Sequence, residues 1–109
     1  MIYKIIAIPN FKRQLKKLNK KYPSLKFDFA NLIESLLTKP EQGVSLGNQN
    51  YKIRMSISSK GKGKSGGARV ITHVYLTKSI VYLLSIYDKS SQESISNKDL
   101  RDLLKHIPK

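Results

Sequence analysis

Lys52 and Arg54 stand two positions apart in a segment, Tyr51 to Ser58, whose apolar residues recur at every second place. In a pleated strand that spacing sets both charged ends on one face, about 7 Å apart, with Tyr51, Ile53, Met55 and Ile57 on the other. Arg69 opens the next apolar segment after a glycine-rich loop, and an antiparallel hairpin returns it beside the first pair. Lys89 follows Asp88 at the end of the strand after that. Four cations from three successive strands are thereby expected to converge on one exposed patch of a sheet. Fixed cations so placed stabilise charge developing on the oxygens of a phosphate under attack, so the patch suits phosphodiester chemistry. The other reading is a solvated polar face, common on antiparallel sheets, but such faces usually mix signs and this one does not.

One-signed charge extends beyond the patch. Between Glu41 and Asp88 there is no acidic residue, while Lys52, Arg54, Lys60, Lys62, Lys64, Arg69 and Lys78 are all basic. A stretch of that kind cannot cancel its own field, and a polyanion, above all nucleic acid, is the partner that would. The whole chain carries a net charge of +14, from 21 Lys and Arg against 7 Asp and Glu over 109 residues. An acidic partner or an RNA backbone would therefore stabilise the fold by mass action. The length fits one domain, residues 1–109, and 39% apolar residues suffice for a core. The absence of cysteine excludes disulfides and thiolate zinc sites, and fits a reducing compartment. Met1 to Ile8 is too short and alternating for a signal peptide, and no apolar run approaches the roughly 20 residues that cross a bilayer. A cytoplasmic protein without membrane contact is expected.

The elements that must position these residues follow from periodicity. Ile2 to Ile8, stopped by Pro9, reads as a strand. Asn10 is placed to cap a helix on which Phe11, Leu15 and Leu18 recur at helical spacing, with Lys12, Arg13, Lys16, Lys17, Lys20 and Lys21 on its other faces. Tyr22-Pro23-Ser24 breaks it, and Ser24 can cap a second helix with Leu25, Phe29, Leu32, Ile33, Leu36 and Leu37 inward, closed at Lys39-Pro40. Glu41 to Asn50 reads as a turn-prone connector. Strands are expected at Tyr51–Ser58, Ala68–Leu76 and Ile80–Tyr87, the last nearly continuously apolar and so buried. Ser96-Asn97-Lys98-Asp99 resembles a capping box and starts a last helix through Leu100, Leu103, Leu104 and Ile107. The fold class is α+β, in the order β-α-α-β-β-β-α.

Other candidate features are less specific. The Lys60-Gly61-Lys62-Gly63-Lys64-Ser65-Gly66-Gly67 loop is not a nucleotide-binding loop, because a strand follows it where a helix is required. It is either a flexible basic hairpin or a clamp on a nucleic-acid backbone, with Lys60, Lys62 and Lys64 as point charges. The lysines of the first helix, Lys16 and Lys20 among them, are either solvated or in contact with folded RNA. His73, alone in a strand, is more often structural than catalytic. No Asp/Glu/His cluster has metal-ligand spacing, and no motif calls for a cofactor. Tyr82 and Tyr87 differ by five, which sets them on opposite sides of the last strand. Tyr82 then joins the core, and Tyr87, beside Asp88 and Lys89, is either core or a ring on which a base stacks.

Taken together, Tyr51-Lys52-Ile53-Arg54, the glycine–lysine loop running into Gly66-Gly67-Ala68-Arg69-Val70-Ile71, and Leu84-Ser85-Ile86-Tyr87-Asp88-Lys89 resemble the RelE/HigB toxins of bacterial type II toxin–antitoxin systems. The resemblance covers nearly the whole chain, and the loop followed by Gly-Gly-x-Arg is similar to a HigB-like branch. It implies an antiparallel sheet packed against an N-terminal helical hairpin and a C-terminal helix. It also implies an mRNA endonuclease acting on messages in the ribosomal A site. Its partners would be mRNA, the ribosome and an acidic antitoxin, often a helix-turn-helix protein, in a complex that represses its own operon.

Carried over by position, Lys52 and Arg54 match the pair that contacts and activates the substrate, Arg69 the arginine on the transition-state phosphate, and Lys89 the basic residue after the last strand. The implied reaction needs no metal: the ribose 2′-OH attacks its own 3′-phosphate, leaving a 2′,3′-cyclic phosphate and a 5′-OH. The chain departs from the best-known pattern near Ile95, where a substrate-stacking tyrosine would fall. Tyr87 and Asp88 offer the aromatic and acid that some members place at the end of the last strand. Two other readings share the charge or the fold: a ParE-like inhibitor of DNA gyrase, and a non-catalytic basic module that binds RNA or the ribosome.

Overall fold

The computed structural model describes residues 2–108 except 62, 64, 65 and 93. Its order is β1 (Lys4–Ala7), α1 (Pro9–Lys21), α2 (Leu25–Thr38), β2 (Val44–Gly47), β3 (Asn50–Met55), β4 (Ala68–Tyr75), β5 (Ile80–Asp88) and α3 (Asn97–Leu104), with short 3₁₀ turns at Ser58–Lys60 and Leu76–Lys78. The five strands form one sheet in the order β1-β5-β4-β3-β2. The α+β class and the helical hairpin hold, with two additions. The connector before Asn50 contains a strand: β2 pairs antiparallel with β3 across Asn48 and Gln49, both at positive φ (51° and 66°), as a two-residue hairpin demands. The sheet is also mixed, because β1 lies parallel to β5, with Ile5 opposite Val81.

Much of the core lies between the sheet and the helical pair, and Ile71, Tyr82 and Tyr87, on the other face of β4 and β5, are buried in the same cluster with Leu100 of α3. Phe11 of α1 and Leu25, Leu32 and Leu36 of α2 are buried in one cluster with Ile53, Met55, Val70, Val81, Leu83 and Ile86. Pro9 begins α1 at a position where its missing N–H costs nothing, which displaces the cap two places upstream, from Asn10 to Ile8. That frees Asn10, expected as the cap, for another task. β1 stops pairing at Leu83, and α1 continues along the exposed edge of β5. There Asn10 Nδ2 donates to the Leu84 carbonyl at 3.0 Å, and Gln14 Oε1 accepts from the Ile86 N–H at 3.0 Å and the Ser85 hydroxyl at 2.9 Å. Two side chains thus satisfy the backbone that a sixth strand would otherwise seek. At α3 the expected cap is present, Ser96 Oγ accepting from Asp99 N at 3.0 Å.

Leu84 is also an extra residue. Ile71 pairs with Ser85 but Thr72 with Leu83, so β5 bulges by one between them. The bulge reverses the pleat, and Tyr82 and Tyr87 lie on the same face rather than on opposite ones. At the other end of the β3–β4 hairpin, Gly67 is held by proximity: a Cβ there would stand 2.1 Å from the Met55 carbonyl oxygen. Gly67→Ala is therefore expected to destabilise the fold by about 2 kcal/mol or more, by overpacking against backbone that cannot yield. A urea midpoint within error of the wild type would show that the hairpin relaxes freely.

Candidate active site

The registers place the patch. Arg54 of β3 lies directly opposite Arg69 of β4, and Arg69 lies directly opposite Tyr87 of β5. One pleat further along, Lys52 is opposite Ile71 and Ile71 opposite Ser85. Lys52, Arg54, Arg69 and Tyr87 therefore share a sheet face, while Ile53 and Met55 point to the helices. Lys89 follows immediately, its N–H donating to the Gly67 carbonyl at 3.1 Å. Arg69 is the most buried of the four cations, at 4% exposure, with Nη1 donating to the Ala68 carbonyl at 3.1 Å. Lys52 is half-buried, and Arg54 and Lys89 are exposed. Two arginines directly opposed on adjacent strands repel one another, and fixed anions are the natural compensation. Among the described residues the ion pairs take Lys21, Lys60 and Lys105, and none takes Lys52, Arg54 or Lys89.

Tyr87 sits in the floor of the patch at 5% exposure, with its hydroxyl oxygen buried and without a hydrogen bond among the described residues. Burial pushes the phenol above its ordinary value, while the Arg69 charge and the Ser94 side chain pull it back. The phenol thus stays protonated beside the guanidinium.

Asp88 and Lys60 are placed differently. Asp88 alternates away from Tyr87 and is 2% exposed. Its Oδ1 accepts from Lys60 Nζ at 2.9 Å, from the Ser90 N–H at 3.0 Å and from the Ser90 hydroxyl at 2.8 Å. Its Oδ2 accepts from the Tyr22 hydroxyl, with Lys21 Nζ at 4.0 Å. Lys60 also lies over the Tyr22 ring, 5.4 Å from its centre. A clasp thus joins the α1–α2 connector, the start of the glycine–lysine loop and the end of β5. A second buried acid does the same one turn earlier. Asp28 of α2 accepts from the Ser58 N–H at 2.8 Å, the Ser58 hydroxyl at 2.5 Å and the Ser24 hydroxyl at 2.9 Å. Ser24 therefore serves Asp28 rather than capping α2. Lys62 and Lys64 lie outside the described residues. Lys16 and Lys20 are exposed on α1, remote in sequence from the patch.

Sequence reasoning missed the clasp, since Tyr22 and Asp88 are 66 positions apart. It also missed a cleft of about 330 Å³ between α2 and β3, lined by Phe27, Asn31, Gln42, Arg54 and Ser56 among others. Among the described residues no group of three or more His, Asp or Glu side chains is arranged to hold a metal, and no helix is long and apolar enough to cross a membrane.

This arrangement of sheet, helical hairpin and C-terminal helix is a RelE-like fold. A double arginine-to-alanine mutant of the Escherichia coli toxin RelE, in the free state, superposes with a TM-score of 0.63 at 19% identity, covering 99% of this chain and 100% of that one. The isolated E. coli RelE toxin gives 0.57 at 17% identity over 96% and 99%. The RelE mutant in complex with a peptide of the antitoxin RelB gives 0.58 at 18% identity over 99% and 100%. No family model matches the sequence.

Burial, the largest influence on Asp88, raises its pKa, but the hydrogen bonds from Tyr22, Lys60 and Ser90 outweigh it and hold the carboxyl well below its ordinary 3.8. Asp28 is likewise lowered, its bonds from Ser58 and Ser24 outweighing burial. A carboxylate with a depressed folded pKa contributes stability that is present above the unfolded value and is lost as pH falls towards the folded one. The protein is therefore expected to lose stability below about pH 4. Asp88→Asn, which leaves the half-buried Lys60 without its counter-charge, is expected to cost about 3 kcal/mol at neutral pH and to flatten the acid slope. Urea titrations at neutral and acid pH test both; a neutral-pH loss below about 1 kcal/mol would show that the clasp is dispensable.

Proposed function

We propose that the protein is the toxin of a type II toxin–antitoxin pair, an endoribonuclease that cleaves mRNA on the ribosome and is neutralised by an acidic antitoxin. The observation that carries this reading is the pairing of Arg54 with Arg69 on a sheet face with Lys52 one pleat away and Tyr87 on the far side. Such a face suits a phosphate passing through a transition state in which its oxygens gain charge. Arg69, low in the patch beside Tyr87, is assigned to the non-bridging oxygens, with Lys89 supporting it at the end of β5. Lys52 and Arg54 orient the ribose 2′-OH for in-line attack on the adjacent phosphorus. The 2′-OH gives up its proton as the O2′–P bond forms, the P–O5′ bond breaks, and the 5′-oxygen takes up a proton to leave as a hydroxyl, so that a 2′,3′-cyclic phosphate remains with no net change in protons. Orientation of the strained codon by the ribosome would supply several kcal/mol of the barrier, which relieves the protein of a strong general base. Lys16 and Lys20 on the exposed face of α1 are assigned to ribosomal RNA, and Lys62 and Lys64 to the message backbone.

The RelE-like fold, and the RelE mutant solved with an antitoxin peptide, support this reading. The test is an in-vitro translation reaction comparing wild type with Arg69→Ala, with message ends mapped and a ribosome-free control. Cleavage within codons is expected from the wild type alone and only with ribosomes, the substitution raising the barrier by about 2–4 kcal/mol. Activity of Arg69→Ala within about tenfold of the wild type, a barrier change near 1.4 kcal/mol, would overturn the assignment. Translation arrest with intact message would favour a binding module, and normal translation a gyrase inhibitor.

A further inference from the structure

The sheet face that carries the arginines continues past Lys52 to a second cluster that the phosphodiester chemistry does not use. β4 alternates Arg69, Ile71, His73 and Tyr75 onto that face, so His73 lies about 13 Å and Tyr75 about 20 Å along the strand from Arg69. The two rings meet edge to face, centres 6.4 Å apart at 83°. Lys78 Nζ, on an exposed 3₁₀ turn, lies 5.5 Å from the Tyr75 ring centre. Beside them is a hollow of about 230 Å³ lined by Gln49, His73, Val74, Tyr75, Leu76 and Thr77. That is below the roughly 300 Å³ from which sites for larger organic ligands begin, and suits a single heterocycle.

Two details of the hollow exceed what packing requires. His73 Nδ1 stands 2.8 Å from Oδ1 of Asn50, itself 2% exposed. A carboxamide oxygen only accepts, so Nδ1 carries the proton and Nε2 keeps its lone pair. Burial lowers the His73 pKa, which keeps that lone pair available at neutral pH. Finally, Tyr75 and His73 are only half-buried, so their rings are not fully used by the core.

We propose that the hollow of Gln49, His73 and Tyr75, with Lys78 at its lip, is a subsite that holds one base of single-stranded RNA a few nucleotides from the scissile phosphate. Tyr75 offers a stacking surface, His73 Nε2 an acceptor for an exocyclic or ring N–H of the base, and the Gln49 carboxamide both a donor and an acceptor. Lys78 is free to leave the Tyr75 ring for the flanking phosphate. Lys52, between the two clusters, bridges the intervening backbone. The subsite rests on the nuclease reading above, and gives the enzyme contact with sequence at a distance from the bond it breaks.

The probe is a short 2′-O-methyl oligoribonucleotide, which binds but cannot be cut, carrying one photoactivatable 4-thiouridine at each position in turn. Fluorescence anisotropy with wild type, Tyr75→Ala and Tyr75→Phe reads affinity; mass spectrometry of the irradiated wild-type complex reads the site. Removing one stacked base contact is expected to weaken binding about five- to a hundredfold in Tyr75→Ala, with Tyr75→Phe near wild type. Adducts on the peptide that holds His73, Tyr75 and Lys78 are expected from one position of the probe, offset from the position that labels the Arg69 region. Equal affinity for wild type and Tyr75→Ala, or adducts confined to the Arg69 region, would overturn the subsite and leave the nuclease reading intact. No binding of the probe by the wild type, together with intact message in the translation reaction, would overturn both. The cross-linking arm needs no substitution, so it stands even if Tyr75→Ala fails to fold.

Discussion

The buried carboxylate of Asp88 holds together three parts of the chain that lie far apart in sequence. Tyr22 reaches it from the αα connector, Lys60 from the start of the glycine–lysine loop, and Ser90 from the turn after β5. Burying a carboxylate is costly unless its oxygens are saturated, and here each has a donor, one of them charged. The arrangement also has an electrostatic consequence for the opposite face. With only seven acids against 21 basic residues, every carboxylate committed to the helical side is one that cannot neutralise the sheet face. Asp28 and Asp88, two of the seven, are buried and hydrogen-bonded, Asp88 on the face opposite Arg69 and Asp28 lining the same cleft as Arg54. Among the described residues, the positive charge of the sheet face is thus a product of where Asp88 is fastened as much as of the many cations.

Legibility from sequence followed the length scale of each interaction. The two N-terminal helices, β3 and α3 show their periods within a dozen residues, and the convergence of Lys52, Arg54 and Arg69 needed only pleat and hairpin geometry. β2 was not legible: Val44-Ser45-Leu46-Gly47 is four residues long and largely exposed, so it has no buried stripe to betray it. The bulge at Leu84 was hidden for the opposite reason. From Val81 to Asp88 every residue is buried, so the alternation that would reveal a slipped pleat is absent, and counting by twos sent Tyr82 and Tyr87 to opposite faces. Asp88 and Lys60 could be assigned to the basic patch from their neighbours in sequence. Their partners, Tyr22 foremost, are distant in the chain, and only the fold shows that they serve as a clasp.

The bulge and the clasp are mechanically related. β5 carries Tyr87 on the arginine face and Asp88 on the helical face, one residue apart, so any slip of the strand would exchange them. A carboxylate would then enter the patch opposite Arg69 and neutralise it, while a phenol would face Lys60. Three sets of contacts fix the strand against that slip: the parallel ladder with β1, the Asn10 and Gln14 bonds at its uncovered edge, and the clasp at its end. The extra residue at Leu84 lies where the first of these hands over to the second. It resets the pleat so that Ile80 and Tyr82 can pair with Tyr75 and His73 on the same face that Tyr87 shares with Arg69. The phosphate patch and the aromatic hollow lie on one face through the alternation of β4, and the extra residue in β5 sets Tyr82 and Tyr87 on that face as well. A regular β5, with the same residues on β3 and β4, would turn one of the two tyrosines away from that face.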